Sequence, residues 1–182
     1  SAEDVARLLL QDPYLMETLK DFHYDWLNLY HLTHITKDDP QYTADFVDSI
    51  KKETDLFITD IVWNEDATFE QLLLNTRGWV NPLLHETYSV TSTDTWNLVE
   101  HGVQRPGILT RAGFLSAHAY AAQTAPVRRG NFILKELLCI QLTPPSDVNM
   151  TLQEEAAGDN IQAQLAAHAN DPSCSGCHNQ ID

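Results

Sequence analysis

Long apolar runs, positive charge and cysteine are all scarce in this chain of 182 residues. No stretch approaches the roughly 20 consecutive apolar residues that a membrane-spanning helix needs, so no membrane insertion is expected. Lys and Arg total 11 against 26 Asp and Glu, for a formal net charge of −15. A nucleic-acid backbone requires clustered cations, so no nucleic-acid partner is expected, and an anionic membrane surface is disfavoured on the same ground. Three cysteines are too few for a disulfide scaffold. Phosphate loops, glycine-rich dinucleotide turns and the G-x-S-x-G of a hydrolase are all missing. The opening SAEDVARLLL has a helix-like pattern and no basic n-region, so it reads as the start of an excised segment rather than as a signal peptide.

What is present suits a packed helical protein. The chain is 43% hydrophobic and 20% charged, enough for an ordinary core. Val5, Leu8 and Leu9, then Leu15, Leu19, Phe22, Trp26 and Leu29 recur at three- and four-residue steps, with Asp12-Pro13 as a stop and restart. A long helix is predicted from about Thr43 to Asn64, and a short one from Phe69 with Asp66 or Thr68 as its cap. RGWVNPLLHETYSV reads as a turn and a further helical piece, and residues 89–113 mainly as loop. A short helix is predicted at Phe114–His118, one from Asn131 through Leu138, and a last one over about Leu152–Ala169. The fold class is therefore mainly α, an irregular helical bundle with long loops. We divide it at residue 90 into a helical domain, 1–90, and a loop-rich helical segment, 91–182, packed together.

The chemistry concentrates at the C-terminus, in DPSCSGCHNQID. Cys174, Cys177 and His178 form C-x-x-C-H, the attachment signature of c-type haem. Two thiols at this spacing reach the two vinyl groups on one edge of a porphyrin, and the next residue offers an imidazole to the iron. Three other readings stay open. A structural zinc site would need a second knuckle, a thioredoxin-like dithiol would open a helix after a strand, and the pair could be a plain disulfide or two free thiols. For a second axial ligand the chain offers His118, in FLSAHAYA, with Met150 as the alternative; Met16 and His168 are weaker, and an open position is the remaining option. Arg111, Arg128 and Arg129 gather three of six arginines into nineteen residues and are candidates to hold haem propionates. Cys139, in ILKELLCIQL, reads as a buried apolar residue. His23, His31, His34 and Asp25 fall on one expected helix, where His31 and His34 share a face, a weak metal constellation.

The order of motifs LTRAGFLSAHA, TAPVRRG, ELLC, Pro144-Pro145 and C-x-x-C-H, preceded by FHYDWLNLYHL and KKETDLFITDIV, resembles large secreted bacterial proteins. Those proteins carry consecutive uncharacterised domains ending in a cytochrome-c-like segment. The family segment usually continues well past C-x-x-C-H and has a longer proline run. The resemblance implies an exported haem protein, often fused to carbohydrate-binding modules and associated with polysaccharide breakdown through other domains.

The expectation is a c-type cytochrome domain with one covalent haem, periplasmic or extracellular, passing single electrons to a redox partner protein. Cys174 and Cys177 would be thioether anchors and His178 the proximal ligand. The rivals are a haem enzyme with an open axial site, doing peroxide or oxygen chemistry, and a non-redox interaction module of a larger cell-surface protein. The reading favours electron transfer over catalysis.

Overall fold

The computed structural model describes residues 1–9, 11, 12, 14–63, 68–91, 95–142, 166, 169, 170 and 175–181. The fold is mainly α, as expected. Its helices are α1 (Ala2–Leu9), α2 (Tyr14–Trp26), α3 (Ala44–Trp63), α4 (Phe69–Leu74), α5 (His85–Tyr88), α6 (Ala112–Ala117), α7 (Pro126–Phe132) and α8 (Ser175–Ile181). Two strands, β1 (Arg77–Val80) and β2 (Asn97–Glu100), join them. Among the described residues no helix is long and apolar enough to cross a membrane. The chain divides into two compact units, Ser1–Ala117 and His118–Asp182.

In the first unit α3 is the hub. Val47, Ile50, Thr54, Phe57, Ile58 and Ile61 recur at helical spacing and are buried. That face meets α2, α4, α6 and β1. The segment after α2 supplies three of the most enclosed side chains, Leu27, Leu29 and Leu32. It can turn inward because Asn28, at φ 56°, adopts the left-handed conformation that asparagine tolerates and so ends α2. A 3-10 turn, Tyr30–Thr33, follows. The four polar residues expected on one helix are therefore split, with His23 and Asp25 on α2 and His31 on the turn. α4 begins where Thr68 accepts a hydrogen bond from the Gln71 N–H (3.1 Å), the expected cap.

Two stretches differ from expectation. Arg77–Val80 is a strand rather than a turn, and Asn97–Glu100, read as loop, is its antiparallel partner, with Gly78 opposite Val99 and Val80 opposite Asn97. Four-residue strands separated by sixteen residues leave little periodicity to read. Their burial alternates, with Gly78 and Val80 turned to the core.

In the second unit, α7 begins at Pro126, well before Asn131. Proline fits the first helical position, where no N–H is needed. Asn131 is an exposed residue inside the helix rather than its cap. α7 runs into a π-helical turn, Ile133–Leu137. Cys139 is exposed, not buried. It sits at φ 55° just past the turn, and the following Ile140 N–H reaches back to the Leu134 carbonyl (2.8 Å), which closes the helix end. The expected helix over Leu152–Ala169 lies almost wholly outside the described residues, as do Met150 and Cys174.

Candidate functional site

The second unit holds most of the sequence-predicted haem residues. α8 carries Cys177 and His178, and His178 is half-buried. α8 packs on α7. Their contact is at Gly130, where any added Cβ would strike the Ile181 carbonyl, so glycine is what lets the two backbones meet. Gly130 directly follows Arg128 and Arg129. The arginine pair and the C-x-x-C-H helix are thus carried on two helices in contact. Arg128 is exposed, its guanidinium 5.4 Å from the Tyr120 ring centre, and Arg129 donates to Thr124 Oγ1 at 2.9 Å. His118 is buried in this unit, its ring 4.8 Å from that of Phe132 on α7. An imidazole beside a C-x-x-C cysteine and guanidinium groups on a contacting helix are residue types that a covalent haem would use; Cys174 lies outside the described residues.

Arg111 is not a residue of this unit. It belongs to the first unit and is fully enclosed. Its Nη2 donates to the carbonyls of Arg77 (2.8 Å) and Asn75 (3.2 Å), and its guanidinium stacks 4.7 Å from the Phe57 ring centre. Around it the fold assembles a polar cluster that sequence reading missed. Glu53, from the buried face of α3, accepts a hydrogen bond from the Tyr88 hydroxyl at 2.6 Å. That hydroxyl accepts in turn from the Ala112 N–H at the start of α6 (2.7 Å). His101, just after β2, lies against the Tyr88 ring, centres 4.4 Å apart and planes tilted by 48°, and Arg105 lies 5.2 Å from the centre of the same ring.

The electrostatics follow from burial. Desolvation pushes the Glu53 carboxyl up to about 7, against the attraction of Arg111 and Arg105 and the Tyr88 hydrogen bond. Desolvation, then repulsion by Arg111 and Arg105, pushes His101 down to about 4. Among the described residues several buried atoms here find no hydrogen-bond partner: Glu53 Oε2, both His101 ring nitrogens, and Arg111 Nε and Nη1. Of this cluster the sequence reading singled out only Arg111, and for another role.

The expected histidine constellation does not gather. His23 Nδ1 bonds the Leu19 carbonyl (2.7 Å), His31 Nε2 the Ala117 carbonyl (3.2 Å), and His34 Nδ1 the Thr33 hydroxyl (3.2 Å). Among the described residues no three His, Cys, Asp or Glu side chains are grouped to hold a metal ion.

No curated protein and no solved structure matches the chain. Two family models match successive parts of it. Residues 1–90 are similar to the PSD4 family, described as a protein of unknown function (DUF1592), and residues 105–182 to the PSCyt3 family, described as a protein of unknown function (DUF1588).

Proposed function

We propose that the C-terminal unit is a c-type cytochrome domain that transfers single electrons in an exported redox protein. The observation that carries this reading is C-x-x-C-H at Cys174, Cys177 and His178, within a segment similar to a family whose name, PSCyt3, denotes a cytochrome-like domain. Haem c, when bound, supplies a one-electron iron couple. Cys174 and Cys177 would hold it through thioethers, and the His178 imidazole would bind its iron. Arg128 and Arg129 neutralise propionates from α7. His118 would be the second side chain to bind the iron, with Met150 as the alternative. Covalent attachment of this kind takes place on the oxidising side of a membrane, so the protein works in the periplasm or beyond. A protein partner supplies or accepts the electron, and other domains of the full-length protein provide any link to polysaccharide.

The test is expression in a host with working cytochrome maturation, followed by intact mass and a pyridine haemochrome spectrum. One haem adds roughly 0.6 kDa, a property of the cofactor, and this adduct should vanish in Cys174→Ala/Cys177→Ala. Colourless protein of unshifted mass from that host sinks the proposal. His118→Ala should turn a low-spin spectrum high-spin; an unchanged spectrum removes His118 from the iron.

A further inference from the structure

Gly130 stands in the interior of α7, where glycine is a poor helix former because its backbone has the most freedom to lose. Its surroundings account for it. A Cβ at position 130 would strike the Ile181 carbonyl and stand 2.7 Å from Ile181 Cγ2. The carbonyl is backbone, so it cannot swing aside as the tip of a flexible side chain can. Among the described elements, α7 is the one that α8 chiefly packs against. This contact therefore requires that position 130 carry no side chain.

The consequence reaches the C-x-x-C-H motif. Ile181 lies three residues after His178, so the two share one face of α8, about 4.5 Å apart along its axis. Both are half-buried. α8 has seven residues, and a displacement imposed at Ile181 is carried to the imidazole one turn away. α7 is tied on either side of Gly130 and is poorly placed to yield instead. Arg129 donates to Thr124 Oγ1 at 2.9 Å, and the ring of Phe132 lies 4.8 Å from that of His118. The same contact sets α8 against the helix that carries Arg128 and Arg129, the two residues directly before Gly130.

We propose that Gly130 is a positioning residue for the C-x-x-C-H helix: the bare α-carbon seats Ile181 on α7 and so sets the orientation in which His178 would meet iron. The proposal rests on the haem reading of this unit. Its test compares the full chain, Gly130→Ala and Asn131→Ala after expression with working cytochrome maturation. Asn131 is an exposed residue of the same helix and serves as the control. In an unobstructed helix Gly→Ala raises the unfolding midpoint; here Gly130→Ala should lower it. With the haem mass adduct retained, Gly130→Ala should also shift the ferric absorption spectrum and the midpoint potential, and Asn131→Ala should move neither. If Gly130→Ala fails to mature, Ile181→Ala loosens the same contact from the other side and should shift the same two readouts. Haem-loaded Gly130→Ala, or Ile181→Ala in its place, with the wild-type spectrum and potential overturns the positioning role alone, whatever its stability. Wild-type chain that takes up no haem overturns the haem reading, and the positioning role with it.

Discussion

Glu53→Gln and His101→Gln should tilt the pH dependence of stability in opposite directions. Burial holds the Glu53 carboxyl near 7 against an ordinary value of 4.5. The native state therefore keeps a proton on Glu53 that the unfolded chain releases above about 4.5. The stabilisation from that proton is complete below the unfolded value and is lost as pH rises through about 7. At 1.36 kcal/mol per pH unit the shift amounts to roughly 3 kcal/mol. His101 has the opposite sign. It is held near 4 against an ordinary 6.5, so its contribution is complete above the unfolded value and is lost as pH falls toward 4. Arg111 and Arg105 face both groups, Glu100 faces His101, and Tyr88 bonds Glu53. Between about pH 4.5 and 6.5 the two slopes therefore oppose each other in the wild type. Urea unfolding from about pH 4.5 to 7.5 measures the difference directly. Stability of the wild type relative to Glu53→Gln should fall by roughly 3 kcal/mol across that range, and stability relative to His101→Gln should rise. The substituted glutamine retains an acceptor for Tyr88, so a constant offset is compatible with this reasoning. A wild-type minus Glu53→Gln difference that stays flat within about 1 kcal/mol refutes it, because Glu53 would then titrate alike in both states.

Tyr88→Phe should cost about 1–3 kcal/mol, since it removes the buried hydroxyl that donates to Glu53 Oε1 and accepts from the Ala112 N–H; urea unfolding checks this, and a neutral result would show that the bridge is not formed in solution. Thr68→Ala removes the side-chain acceptor at the start of α4 and should cost about 1 kcal/mol, with Thr68→Ser restoring most of it. In Cys174→Ala/Cys177→Ala, Cys139 is the remaining thiol, and its exposure predicts stoichiometric reaction with a maleimide in native buffer. Labelling that requires urea would mean Cys139 is buried, as the sequence alone suggested.

The difference between what the sequence reveals and what it hides has a physical pattern here. α3 and α4 are legible because their signals are local: Ile50, Phe57 and Ile61 keep a helical period, and Thr68 stands where a cap belongs. The motif at Cys174, Cys177 and His178 is legible for the same reason, since five consecutive residues hold the whole pattern. β1 and β2 are not legible, because each is four residues long and is defined by a partner elsewhere in the chain. The cluster around Arg111 is the extreme case. Glu53 sits on an apolar helix face where composition predicts a misfit, Tyr88 ends a four-residue helix, and His101 follows a strand the sequence does not announce. Only the fold brings them within reach of one guanidinium. A glutamate in register with Ile50 and Phe57 is nonetheless a local anomaly, because a carboxylate on a buried face must find a proton, a cation or a donor to remain there. Glu53 has the Tyr88 hydroxyl as its donor, its raised affinity for a proton, and Arg111 nearby. The misplaced charge on α3 thus marked the place where distant elements had to supply polar partners, although it could not say which elements they were.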